Sequence, residues 1–231
     1  MAEYNGNSGV WRTVGGRRIF IKDGQDLPSA MIESGKFPST KPSSGAPQKR
    51  RASQELHDRT KSIDTMLDGY CDKESTWSGV VNIDETIKAV GRKEWNCDIT
   101  WEQENASNAD IIHELLHARS ALHFKPEEFA NNAGFEEGVA ELYAQEIAIR
   151  QGYVPSDNYY ELVGRLRDIN SFAGIYSNDY EFARALFNID LPKRSQWLDD
   201  KILYAVVQNN RLNDYSKILD LYNYINAWRV K

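Results

Sequence analysis

Asp110-Ile-Ile-His-Glu-Leu-Leu-His-Ala-Arg-Ser-Ala-Leu-His123 is the stretch on which the reading of this chain turns. Within it, His113-Glu114-Leu115-Leu116-His117 forms an H-E-x-x-H pattern among apolar residues. Positions four apart share one face of a helix, because 3.6 residues make a turn. Two imidazoles on that face can bind one Zn²⁺, and Glu114 can reach a water in the metal's open position. An exposed amphipathic helix with incidental histidines is the plain alternative, since short patterns recur by chance. Ile111, Ile112, Leu115 and Leu116 argue against full exposure, and two of only four His fall at this spacing.

Two residues compete to be the third ligand. Glu137 lies in Gly134-Phe-Glu-Glu-Gly-Val-Ala-Glu-Leu-Tyr143, far enough on for one helix to end and a second to return. Glu141 shares its helix face. One carboxylate can bind the metal while the other accepts the N–H of a ligating His. Two unpaired carboxylates buried together need a cation or a proton.

H-E-x-x-H followed by Glu-Gly-x-Ala-Glu at this distance resembles the gluzincin metallopeptidases, the thermolysin-like enzymes among them. The resemblance implies zinc held by His113, His117 and Glu137, Glu114 as general base, and Glu141 behind a ligating His. Two positions depart from the pattern. Arg119 stands where an apolar residue is usual, and Glu136 stands where Asn is usual, which makes Glu136 a fallback ligand.

His123, six residues after His117, is the other candidate and matches the metzincin spacing H-E-x-x-H-x-x-G-x-x-H. There a Gly lets the chain turn sharply so that the third His returns to the metal. Here Ser120 occupies that position, and Met1, Met31 and Met66 all precede the helix, so none supplies the Met beneath the metal. Glu137 is therefore the preferred ligand, with His123 and Glu136 behind it.

The 231 residues suit one catalytic domain and a tail, or two small domains. A 41% hydrophobic content with six Trp and twelve Tyr supplies a packed core. The net charge of −6 gives no electrostatic reason to expect nucleic acid. The polar N-terminus reads as no signal peptide, and no apolar run is long enough for a membrane span, so a cytoplasmic or virion-associated place is expected. Cys71 and Cys97 lack metal-ligand spacing and read as two reduced thiols.

Residues 1–9 read as loose. Trp11–Val14 and Arg18–Ile21 read as strands of a hairpin turning at Gly15-Gly16, followed by a short helix at Leu27–Ser34. The stretch 10–36 resembles a segment of phage minor head (portal-associated) proteins. That resemblance implies a phage or prophage origin and contact with head or portal proteins. Residues 38–54 have linker composition, and the basic run Lys49-Arg50-Arg51 reads as a solvated part of it. Helices are expected at Gln54–Cys71, from about Phe135 to Gly152 (amphipathic through Val139, Leu142, Tyr143, Ile147 and Ile149), and at Tyr159–Asn170, Tyr180–Phe187, Trp197–Asn209 and Asp214–Trp228. Strands are expected at Trp77–Ile83 and Trp95–Trp101, with Cys97–Trp101 as the edge to which a peptide substrate adds.

The expectation is a predominantly helical α+β chain: residues 1–37 an adaptor, 38–54 a linker, and 55–231 a zincin-like domain. In that domain a small sheet packs on the zinc helix ahead of a helical C-terminal half. The function expected is zinc-dependent peptide hydrolysis of a protein or peptide, with the oxyanion stabilised by a Tyr, an Arg or a backbone N–H; Tyr176, Tyr180, Arg165 and Arg167 are the side-chain candidates, and the sequence does not choose among them. Two alternatives stay open: a virion-associated structural protein with a vestigial zinc site, and a phage regulatory protease cutting one specific substrate.

Overall fold

The computed structural model describes residues 2–4, 7–14, 17–22, 49–120 and 126–229. It divides into two units, 1–46 and 47–231. In the first, β1 (Ala2–Tyr4), β2 (Asn7–Val14) and β3 (Arg17–Lys22) form an antiparallel sheet in that order, with Val10 opposite Ile21. The first residues therefore belong to a strand, where a loose end was expected. The Gly15-Gly16 turn and the Leu27–Ser34 helix lie outside the described residues.

The second unit starts with β4 (Arg50–Arg51), paired antiparallel with β5 (Val81–Ile83). Strand β4 thus lies within the basic run expected to be linker. Its charges are answered locally: Lys49 pairs with Glu94 at 3.3 Å and Arg50 with Glu104 at 2.5 Å, while Arg51 donates to Asn82 at 3.4 Å. Helix α1 (Gln54–Leu67) follows at once, capped by the Ser53 hydroxyl accepting from the Leu56 N–H. Leu56, Thr60, Ile63 and Leu67 are its buried face, at helical spacing.

The remaining strands, β6 (Gly91–Lys93) and β7 (Ile99–Trp101), complete a sheet of order β4-β5-β7-β6. β5 and β7 run parallel and bury every residue, while β6 is antiparallel to β7. The Trp95–Trp101 expectation is corrected in two ways. A turn through Cys97, at φ +68°, breaks the segment, and β7 sits between two neighbours. The edge beyond β7 is β6. Glu102 N–H bonds Val90 C=O and Glu94 N–H bonds Asp98 C=O, so residues 90, 92 and 94 face β7. Gly91 and Lys93 then turn their backbone groups outward.

Helix α2 (Asn108–Ser120) opens on a reciprocal cap: Ser107 Oγ accepts the Asp110 N–H, and the Asp110 carboxylate accepts the Ser107 N–H. Its Ile111, Ile112, Leu115 and Leu116 are fully buried. Arg119 is buried too, and binds α2 to α1 through Asp64 (2.9 Å), Asp68 (2.9 Å) and the carbonyl oxygens of Asp64 and Lys73.

Helix α3 (Pro126–Arg150) is the hub of the unit, bent at Asn132. It begins well ahead of Phe135, and its buried side chains are not confined to one stripe: 133–145 are buried throughout. Small residues make this possible. A Cβ on Gly134 would collide with the Ile225 carbonyl, and one on Gly138 would press on Leu162. Besides α2, four helices pack against it: α4 (Tyr160–Ala173), α5 (Asp179–Asn188), α6 (Leu191–Gln208) and α7 (Tyr215–Ala227). α6 begins ahead of the expected Trp197 because Pro192 fits the first turn, where its missing N–H has no partner to lose. The second unit is thus predominantly helical with a small mixed sheet. Among the described residues no helix is long and apolar enough to cross a membrane.

Candidate metal centre

α2 and α3 pack face to face and bring His113, His117 and Glu137 together. The two Nε2 atoms are 2.9 Å apart. Glu137 Oε2 lies 3.4 Å from His113 Nε2 and 3.2 Å from His117 Nε2. Ligand atoms 2.0–2.1 Å from a tetrahedral ion stand about 3.3 Å from one another. The triangle is therefore the size of one face of such a shell.

The rear nitrogen of each imidazole faces a carboxylate. His117 Nδ1 donates to Glu136 Oε1 at 2.8 Å. His113 Nδ1 lies 2.8 Å from Glu141 Oε2, close but off the hydrogen-bond axis. With the proton on Nδ1 in both rings, both Nε2 lone pairs point into the same space. Neutral imidazoles would repel there, and a cation or proton removes the conflict.

The charge balance points the same way. Glu114, Glu136, Glu137 and Glu141 are all buried, and Arg194 answers Glu136 alone, at 2.6 Å. Burial works against protonated histidine, yet Glu137 and Glu136 overcome it and raise His117 to about 9. His113 is raised in the same way by Glu137 and Glu141. Burial likewise pushes Glu136 up, but Arg194 and then His117 and Ser120 bring it down to about 2. Two imidazole nitrogens and a carboxylate oxygen, with positive charge wanted between them, suit a divalent cation.

Glu114 behaves differently. Burial, the largest influence, pushes its carboxyl up, against the pull of His113 and His117 and a smaller one from the Lys93 N–H on the outward side of β6. Its Oε2 is buried without a hydrogen-bond partner. Two clefts meet at this side chain, one of about 340 Å³ and one of about 360 Å³, and both are also lined by Gly91 and Tyr159. The first has an aromatic wall of Trp95 and Phe129, in edge contact at 6.4 Å.

Tyr159 was not among the expected site residues. Its ring stacks on His113 at 5.6 Å and meets Trp228 edge-on at 5.8 Å. Burial, then Glu137 and Glu114, push its hydroxyl well above the usual phenol range. The residue sits at φ +50°, a left-handed conformation that costs a side-chain-bearing residue on the order of 1–2 kcal/mol. Strain of this kind concentrates at functional sites. The four oxyanion candidates lie elsewhere. Tyr180 packs on Tyr143 and under Arg150, Tyr176 on Phe182, Arg165 over Tyr224, and Arg167 pairs with Glu146 and Asp179.

Glu141 is further fixed by Gln145 at 2.9 Å and by the Ser156 hydroxyl. Glu136 faces the back of His117 and Arg194 and lies outside the ligand triangle. His123 lies outside the described residues. No family model, curated protein or solved structure matches this chain.

Proposed function

We propose that this chain is a zinc-dependent endopeptidase of zincin-like architecture. The observation that carries the reading is the convergence of His113 Nε2, His117 Nε2 and Glu137 Oε2 beside the unpartnered Glu114 oxygen. Two histidines and a glutamate are the ligand set of one class of catalytic zinc site, which leaves a position open. When bound, zinc lowers the pKa of a water towards about 7 and polarises the scissile carbonyl.

The chain's own groups do the rest. Glu114 takes a proton from the attacking water and returns it to the leaving amine. An extended peptide adds to the outward edge of β6, where Gly91 and Lys93 offer backbone groups, and so is held without its side chains being read. The two clefts that share Glu114 leave room for more chain than one end of a peptide, which favours internal cleavage. The Tyr159 hydroxyl, beside the ligand triangle, is the donor best placed for the developing oxyanion.

The test compares wild type with Glu114→Gln on an unfolded protein substrate, with zinc content measured in both. The reading expects cleavage by wild type alone and equal zinc in the two. Cleavage at the wild-type rate by Glu114→Gln would remove Glu114 from the mechanism. The N-terminal resemblance to phage minor head proteins adds a proposed setting, with head or portal proteins as partners and a virion-associated or cytoplasmic place.

A further inference from the structure

Arg194, in the first turn of α6, is completely buried. Its Nη1 donates to Glu136 Oε2 at 2.6 Å. Its Nη2 donates to Ser120 Oγ at 3.1 Å and to the Phe187 carbonyl at 3.0 Å, and its Nε donates to the Ile189 carbonyl at 3.1 Å. The Ser120 hydroxyl donates to the same Glu136 oxygen at 2.8 Å. Oε2 of Glu136 is thus held by two donors from two helices. Only Oε1 is left, and it accepts from His117 Nδ1 at 2.8 Å.

A carboxylate with one oxygen pinned in this way cannot rotate, so the ring it receives cannot rotate either. It is also a carboxylate whose charge is already answered, so it acts on His117 as an oriented acceptor and makes no competing claim on the cation. We infer that Glu136 and Arg194 work as one unit that fixes the tautomer and angle of His117, making Arg194 a positioning residue for metal binding. The inference rests on the metal reading above and adds to it a dependence on α6, whose first turn supplies the guanidinium from far along the chain.

The rival account makes Arg194 a clamp at the α5–α6 corner, through the Phe187 and Ile189 carbonyls, with no bearing on the metal. The two accounts part on what a matched neutral pair does. In Glu136→Gln/Arg194→Met the glutamine oxygen can still accept from His117 Nδ1, its amide can donate to Ser120, and no buried charge is left alone. A clamp lost in Arg194→Met stays lost in the double variant.

The experiment measures zinc affinity by competition with a chromophoric chelator. It uses the full chain as wild type, Arg194→Met, Arg194→Lys and the double variant, with the folded fraction read by circular dichroism. Loss of a partner behind a metal-bound histidine weakens metal affinity by about 10–100-fold. That loss is expected for Arg194→Met, a smaller one for Arg194→Lys, whose point charge cannot span the same acceptors, and recovery of most of it in the double variant. Affinities equal to wild type in the single variants, or a double variant as weak as Arg194→Met, would overturn the inference and leave the metal reading standing. If Arg194→Met does not fold, Arg194→Lys and the double variant carry the same comparison. Failure of the wild type to bind zinc would overturn the metal reading itself, and the inference with it.

Discussion

Replacing Gly91 by Ala tests the link between the sheet and the candidate centre. Gly91 lies on β6 opposite Trp101, and an added Cβ would come closer than 3.0 Å to Cε3 and Cζ3 of that indole. Carbon atoms pack at about 3.5–4.0 Å, so something must move by at least about 0.5–1 Å. Trp101 has nowhere to go, being fully buried on the central strand β7. β6, the edge strand, has to shift. Overpacking of this kind costs about 1–3 kcal/mol. At about 2–4 °C per kcal/mol for a chain of this size, the melting temperature should fall by about 2–12 °C. The same displacement moves the backbone that lines the clefts beside Glu114. A misplacement of about 1 Å can cost about 100-fold, so kcat/KM on a peptide should drop by that order. Zinc content should not change, because β6 supplies no ligand atom. Thermal unfolding, peptide cleavage and elemental analysis on one preparation read all three. A Gly91→Ala protein with wild-type melting temperature and activity would refute the close packing of β6 on Trp101. One that lost its zinc would refute the separation of edge strand from ligand set.

For Glu114→Gln, loss of the proton-transferring group should lower kcat by about 10²–10⁴-fold with zinc retained, measured by cleavage and elemental analysis side by side. Cys71 is buried, and desolvation, the largest influence on it, raises its thiol to about 12. A thiol whose folded pKa is raised stays protonated until the pH passes that value. At pH 8 about one molecule in 10⁴ is then thiolate, and iodoacetamide should leave Cys71 unlabelled in the folded chain and label it fully in denaturant. Peptide mapping that found Cys71 labelled under native conditions would show this part of the core to be open.

Helix α2, which carries the two candidate metal-binding histidines, was legible because every feature of it is local. Ser107 and Asp110 cap it, the four apolar residues give its buried face, and a spacing of four sets the ligands side by side. Glu137 and Glu141 were legible for the same reason. The neighbouring strands were not. Trp95, Cys97, Ile99 and Trp101 alternate like one strand, but a left-handed Cys97 turns the chain between two strands, and this moved the edge from β7 to β6. α3 hid its burial because period alone cannot report a helix packed on all sides, although Gly134, Gly138, Ala140, Ala144 and Ala148 mark where neighbours approach. Arg194 and Tyr159 reach the site from other helices and loops, and no local pattern ties Arg194 to Glu136 or Tyr159 to His113. Arg194 alone had an advance signal, Glu136 itself: a second glutamate beside Glu137, once buried, requires a partner.

The most direct test is the zinc content of purified wild type, His113→Ala, Glu137→Ala and Glu136→Ala, each refolded with the metal and passed through gel filtration. The ligand triangle predicts one zinc per wild-type chain, none retained by His113→Ala or Glu137→Ala, and zinc weakened but still detectable in Glu136→Ala. A wild type without zinc, or a Glu137→Ala protein that keeps it, would contradict the assignment of His113, His117 and Glu137 as the metal site.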